Sequence, residues 1–315
     1  MDAISFDRIA IVGAGGPTGF HLATAMLDRG TEVRVIGRHL ERLTTVYAGL
    51  DVDAVAADAT DLRATTAAVN GCDLVVDCIG LPPEQMHLHP ETARTIAAAV
   101  SRSGARCLQV SSFWSYLPIT HLPLTEDHPR EGGVHYVQWR RKAENTLQKA
   151  GAAIVNLPDF FGPRVHGSTL QQALADAVAG RPMNWIGETA PPREYVFVPD
   201  AMNTVAALAC RPEAYGNRWI VAGAGPISGD EVTEIAKAHL GYHVTLRAAG
   251  RWMLWLASLF SKPLRQFMPM VPDYCQRITY DGSKLHRLLG DQRVTPYQLA
   301  IPRTLDWLRD SESTT

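Results

Sequence analysis

The densest chemical signal in the chain is the run Ile9-Ala-Ile-Val-Gly13-Ala-Gly15-Gly16-Pro-Thr18-Gly19. Gly13, Gly16 and Gly19 fit G-x-x-G-x-x-G; Gly13, Gly15 and Gly19 also fit G-x-G-x-x-x-G. Glycine permits a sharp turn after a strand and removes the Cβ that would hold a diphosphate away from the backbone. A helix beginning there adds free N–H groups and the positive end of its dipole. Gly13, Gly15, Gly16, Thr18 and Gly19 are therefore the candidate phosphate cradle of a dinucleotide. A bare glycine pattern says little; its position between an expected strand and an expected helix makes it specific. The plain alternative is a glycine-rich turn with no ligand.

The residues that follow refine the ligand. A site for NAD carries Asp or Glu about 20 residues on, to accept from the ribose 2′-OH. This chain reads Val35-Ile36-Gly37-Arg38 instead. Arg38 suits a 2′-phosphate, and Arg34, His39 and Arg42 add positive charge nearby. NADP(H) is thus expected over NAD(H), the alternative being a solvated basic loop. Asp58 follows the third expected strand and is a candidate for the adenine amino group; a turn-forming Asp reads the same. A second glycine patch, 223–229, is explained by capping, with Ser228 and Glu231 in capping-box positions. His87 and His89 form H-x-H among Pro82, Pro83 and Pro90, and read as a surface loop. His121, His128 and His135 recur every seven residues, but Pro123 and Pro129 break any helix. No metal site is expected.

The cradle needs elements to position it. The first half alternates strand and helix signals, the pattern of a parallel sheet covered on both faces. Strands are expected over 8–12, 32–36, 52–56, 73–78, 106–110 and 152–157. Helices are expected over 19–29, 40–48, 64–69, 90–101 and 134–149. The second half is less regular: helices over 169–179, 200–210, 228–240, 252–260, 281–289 and 302–309, and strands over 194–198 and 218–222. This predicts an α/β Rossmann-type doubly wound sheet, with a dinucleotide-binding domain over 1–162, elements returning to it near 194–222, and a smaller, mainly substrate-binding α+β domain over 163–315.

Composition sets the outer limits. The 315 residues are 46% apolar and 20% charged, enough for a sizeable core. A net charge of −2 gives no broad attraction to nucleic acid or to a membrane, and neither is an expected partner. The five cysteines are scattered with no C-x-x-C pair, which suits a reducing compartment. No basic segment followed by a long apolar run opens the chain, and no apolar run approaches the roughly 20 residues of a membrane span. A soluble, cytoplasmic protein acting on a small molecule is expected, with a homodimer the one assembly left open.

Beyond the glycine loop, the chain resembles the extended or atypical short-chain dehydrogenase/reductases, in their NAD-dependent epimerase/dehydratase-like branch. The resemblance rests on that loop, 58–61, Val110-Ser111-Ser112, Tyr136 and its helix, Phe161-Gly162-Pro163-Arg164, Val198-Pro199-Asp200, 281–284 and 304–307, and covers almost the whole chain. It implies a Ser or Thr acting with Tyr-x-x-x-Lys. Here the signature is altered. Tyr136-Val-Gln-Trp-Arg140 has Arg in place of Lys; at i and i+4 the two share a helix face. A phenol exchanges a proton readily only where a cation favours phenolate. Arg140 supplies that field permanently but cannot itself lose a proton. Lys142 lies off that face, recruitable only by a slip in register. The family's hydroxyl falls at Phe113, so that either Ser112 or Ser115 substitutes or the hydroxyl is lost, strand-end capping being the plain reading of the serines; Phe113 and Trp114 are candidates for an aromatic wall. Asn156 and Asp159 replace an Arg and an Asn common in the family, and Asp200 reads as the cap of the next helix. The implied catalytic set is Tyr136, Arg140 and Ser112. The expected reaction is NADPH-dependent reduction of a carbonyl-type group. Nucleotide-sugar epimerisation or dehydration, and silent dinucleotide sensing, are the alternatives. The bulky run Trp252, Met253, Trp255, Leu256, Phe260, Phe267, Met268 and Met270 suggests an apolar substrate, although Trp252, Leu256 and Leu259 also have the spacing of an ordinary core face.

Overall fold

The computed structural model describes residues 3–312. Its centre is a seven-stranded parallel sheet of β1 (Arg8–Val12), β2 (Glu32–Gly37), β3 (Val52–Ala56), β4 (Leu74–Asp77), β5 (Arg106–Ser112), β6 (Ala153–Leu157) and β10 (Arg218–Ile220). The spatial order is β10-β6-β5-β4-β1-β2-β3. β1, β4 and β6 are almost wholly buried, as strands covered on both faces must be. Side chains alternate between two cores: Ile9 and Ile11 on one face, Ala10 and Val12 on the other. Helices α1 (Pro17–Leu27) and α7 (Val198–Ala209) cover the first face. α3 (Leu62–Val69), α4 (His89–Ser103) and α5 (His135–Lys149) cover the second. α2 (Leu40–Val46) closes the end beside β2 and β3.

The strand order reverses between β1 and β4, so a crevice opens beyond their carboxyl ends, where doubly wound sheets bind ligands. The expected elements sit close to the observed ones. α3 starts at Leu62 rather than 64 because Asp61 caps it, accepting from the N–H groups of Arg63 and Ala64 at 2.8 and 3.0 Å.

The remaining layer is built from small pieces that strand periodicity does not reveal. β7 (Asp159–Phe161), β9 (Arg193–Phe197) and β11 (Pro226–Ile227) form a three-stranded sheet, and β8 (Met183–Ile186) pairs with β12 (Leu246–Ala249). α6 (Thr169–Val178), α8 (Gly229–Leu240) and α13 (Tyr297–Glu312) enclose their core, which includes Trp185 and Tyr195. The capping box of Ser228 and Glu231 forms as the sequence requires. Asp200 does not cap α7. It lies in the first turn, and its carboxylate accepts from the Thr295 N–H, tying the closing segment to the sheet. The short helices α9 (Arg251–Ser258), α10 (Lys262–Phe267) and α11 (Val271–Tyr274) follow, then α12 (Ser283–Leu289). Among the described residues no helix is long and apolar enough to cross a membrane.

Candidate cofactor and active site

The glycines divide by what a side chain would meet. At Gly13, with φ of +78°, a Cβ would lie 2.8 Å from the Ile79 backbone. At Gly19 it would lie 2.6 Å from Ala14 Cα. These two let β1, β4 and α1 pack closely. At Gly16 the nearest neighbour is a carbonyl 3.8 Å away, and at Gly15 only the flexible Arg42 is near. Packing therefore does not explain Gly15 and Gly16, which leave the backbone open to a ligand. Gly16 caps α1 without a side-chain acceptor, and Pro17 occupies the first helical position. The next N–H groups, of Thr18 and Gly19, stand where an anion is stabilised. The loop is anchored by the Gly13 and Ala14 N–H groups on the Ile36 carbonyl, and by the buried Tyr47 hydroxyl on the Ala14 carbonyl at 2.8 Å. Thr18 itself is buried, with its side chain on Cys78. These residues fit the diphosphate of a dinucleotide.

At the end of β2, Arg38 is exposed, its guanidinium reaching Gln85 at 3.5 Å. Arg42, one turn into α2, donates to the Gly15 carbonyl at 3.2 Å and so reaches over the loop. Asp58 faces the same end; its carboxylate accepts from the Thr60 N–H and hydroxyl, which with Arg38 hold it below the usual range. Arg34 is taken up by Asp53 at 2.7 Å and faces away from the loop, over α3 carbonyls.

Tyr136 stands in the first turn of α5, half-buried against Trp139, and among the described residues its hydroxyl has no hydrogen-bond partner. Arg140 follows one turn on. The residue is part-exposed, but its Nε is buried and unpartnered among the described residues, in the field of Glu144 and Asp77. Lys142 is exposed on another side of the helix, so no slip recruits it. Ser112 ends β5 and caps the turn Phe113–Tyr116, accepting from the Trp114 N–H at 3.3 Å. Phe113 is not a wall of the crevice: it is buried edge-on to Tyr274 and Tyr280. Trp114 donates to the Tyr274 hydroxyl at 2.9 Å. Ser115 is fully buried against Asn156.

Ser111 and Asn156 belong to a structural network. Both donate to the buried Glu144, at 2.6 and 2.9 Å, and Arg130 and Arg218 pair with its other oxygen. Two cations and two further donors compensate the burial of that carboxylate, which locks α5 onto β5 and β6. Arg141 braces the turn after β5 through three backbone carbonyls, those of Ser115, Leu117 and Gly132. Asp159 is bonded to Thr169 at the start of α6, and burial raises its carboxyl.

The surface-loop reading of His89 is overturned. His87 is exposed on the turn Pro83–Leu88, but His89 begins α4 and is buried. Burial, with the Arg140 charge, pushes its pKa well down and keeps it neutral. It is one of a buried set with Arg140, Asp77 and Gln109. Gln109 donates to Asp77 at 2.9 Å, and burial pushes the Asp77 carboxyl up to about 6. His89 Nε2, Gln109 Oε1 and Arg140 Nε all lack partners among the described residues. Three unmet polar atoms in one place are costly unless a water or a ligand group completes them. An acid closing the apolar run Leu74-Val-Val-Asp77 was the one sequence signal for this cluster; nothing local announced His89 or Gln109.

Fold and loop together define a Rossmann-type fold whose glycine loop suits the diphosphate of a dinucleotide. Residues 13–155 match a family described as NAD(P)H-binding. In fold the chain is similar to solved structures of nucleotide-sugar epimerases and dehydratases. It superposes on UDP-glucuronic acid 4-epimerase from Bacillus cereus, solved with NAD, with a TM-score of 0.78 at 14% identity over 96% of this chain and 99% of that one. A dTDP-glucose 4,6-dehydratase from Streptomyces venezuelae, also solved with NAD, gives 0.79 at 18% identity over 98% of each chain. Among curated proteins, a ceramide reductase of Caulobacter vibrioides is 26% identical over 66% of this chain and 62% of its own length. An uncharacterised protein of Mycobacterium tuberculosis is 28% identical over 181 residues, 54% of this chain. The chain spans only 20% of the length of that relative.

Proposed function

We propose that the protein is an NADPH-dependent oxidoreductase that reduces a carbonyl-type group in a mainly apolar small molecule. The observation that carries the cofactor half is the end of β2: Arg38 and Arg42 flank the phosphate loop where an NAD site carries a carboxylate. Gly13, Gly15, Gly16, Thr18 and Gly19 would hold the diphosphate, Arg38 the 2′-phosphate and Asp58 the adenine. The bound cofactor supplies a hydride. Tyr136, whose hydroxyl is unpartnered among the described residues, supplies the proton to the carbonyl oxygen, and Arg140 stands one turn on along the same helix. Ser112, at the carboxyl end of β5, is the remaining hydroxyl for orienting that oxygen.

The substrate half is supported by the activity for which the ceramide reductase relative is named and by the apolar side chains of Phe267, Met270 and Tyr274, packed against the turn after β5. A second reading, epimerisation or dehydration of a nucleotide sugar, is favoured by the names of the structural neighbours. Two departures weigh against it: Asn156 and Asp159 stand where the family commonly has an Arg and an Asn.

The test is turnover with NADPH over a panel of hydrophobic ketones and long-chain acyl carbonyls, run beside nucleotide-diphosphate sugars. Stoichiometric NADP⁺ release with the apolar carbonyls is expected. Conversion of a nucleotide sugar with no net change in cofactor would establish the second reading instead.

A further inference from the structure

Trp252, Trp255, Leu256, Leu259 and Phe260 have the spacing of a helix face made to be buried, yet that face of α9 is open. Trp252 is 70% exposed, Trp255 58% and Phe260 89%, with Met253, Leu256 and Leu259 beside them. The residue α9 buries is Ser258. Scattered apolar residues on a surface need no explanation; a contiguous patch holding two tryptophans and a phenylalanine does.

The charge around the patch identifies what covers it. No Asp or Glu occurs between residues 235 and 272, whereas Arg247, Arg251, Lys262 and Arg265 are all present there and exposed. Arg265 donates to the carbonyls of Ser258 and Leu259, which fixes a positive charge at the carboxyl end of the apolar face. The chain as a whole has a net charge of −2, so this cationic rim is a local feature that the overall composition conceals. Tryptophan and phenylalanine on one side of a helix, with Arg and Lys and no acid on the same segment, is the arrangement of a helix lying in the interface of an anionic bilayer. A second copy of the chain is a poorer occupant, since pairing the face with itself would bring two cationic rims together.

The patch is mechanically joined to the site. α10 follows α9 directly; Phe267 on α10 packs edge-on to Tyr274 on α11 at 5.0 Å, and Tyr274 holds Trp114, two residues after Ser112.

We infer that α9 and the start of α10 dock the protein on an anionic lipid surface. Docking there would hold the turn after β5 near the bilayer, where an apolar substrate resides. The docking itself does not depend on the reductase reading.

The test is co-sedimentation of the full chain with vesicles of phosphatidylcholine alone and of phosphatidylcholine with phosphatidylglycerol, at low and high salt. Wild type is expected to bind the anionic vesicles and to release as salt rises. Trp252→Ser/Trp255→Ser/Phe260→Ser should lose about tenfold or more in partitioning, and Arg251→Glu/Lys262→Glu a similar factor on anionic vesicles. Because these side chains are exposed, both variants should melt like wild type. Absence of wild-type binding to either vesicle, or unchanged binding by the triple variant, overturns the inference. So does a wild-type dimer that the triple variant dissociates while neither binds vesicles. Turnover of a short soluble ketone in vesicle-free buffer is read in parallel: its absence counts against the reductase reading and leaves docking to be judged on the vesicles.

Discussion

Two glycines three residues apart should respond in opposite ways to the same added methyl group. Gly13 has φ of +78°, and an added Cβ would stand 2.8 Å from backbone atoms of Ile79. Alanine there costs about 1–2 kcal/mol for the left-handed conformation. It adds about 1–3 kcal/mol for overpacking against a backbone that cannot turn away. Together these make about 2–5 kcal/mol, a large part of the roughly 5–15 kcal/mol by which a domain is stable. Gly16 has φ of −98° and ψ of 170°, which any residue adopts, and no protein atom lies within 3.8 Å of its added Cβ. Gly16→Ala should cost stability about 0.5–1 kcal/mol, through the poorer helix cap alone. Its methyl group would instead occupy the space kept for the diphosphate. The assay pairs thermal unfolding of the cofactor-free protein with NADPH titration by fluorescence. Gly13→Ala should lower Tm markedly. Gly16→Ala should melt within a few degrees of wild type and bind NADPH at least about tenfold more weakly, the cost of losing about 1.4 kcal/mol of contact. Normal NADPH affinity in Gly16→Ala would refute the assignment of the loop as a diphosphate cradle.

Further expectations concern charge and proton transfer. Arg38→Ala should weaken NADPH by about 1.5–3 kcal/mol and leave NADH nearly unchanged, so paired titrations that move together would remove Arg38 from the 2′-phosphate. Tyr136→Phe should lower turnover by about 10²–10⁴ with cofactor affinity retained, and Arg140→Lys should keep activity where Arg140→Leu loses it; stopped-flow oxidation of NADPH reads both. The Asp77 carboxyl is raised from an ordinary 3.8 to about 6 by burial, so between those values the folded state binds the proton more tightly than the unfolded chain does. Its contribution to stability is therefore full below about pH 4 and falls as pH rises towards about 6, by about 3 kcal/mol. Asp77→Asn should match wild type at about pH 4 and exceed it at about pH 8, with denaturant melts of the cofactor-free protein giving the difference. An unchanged difference between the two pH values would show that folding does not raise the Asp77 carboxyl.

What the sequence determined by itself is the part of the molecule governed by local rules. The strand, glycine turn and helix of 8–27 are contiguous, and a turn at Gly13 and a capping box at Ser228 follow from a few adjacent residues. So the Rossmann order of elements, the phosphate loop and the basic end of β2 are legible in the residues alone. The tertiary structure decided what depends on residues distant along the chain. Ser115 reads as a candidate hydroxyl until Asn156 arrives from β6, donates to it and leaves it fully buried. His89 reads as a loop residue until α5 brings Arg140 over it. The strands β7, β8, β11 and β12 have two to four residues each, too few for a period to register, and exist only because neighbours complete their hydrogen bonds. Periodicity marked the stripe on α9 as apolar but could not say which way it faces. A stripe of that spacing serves a core or a surface equally, and only the packing of α10 and the turn after it on the other side turned it outward.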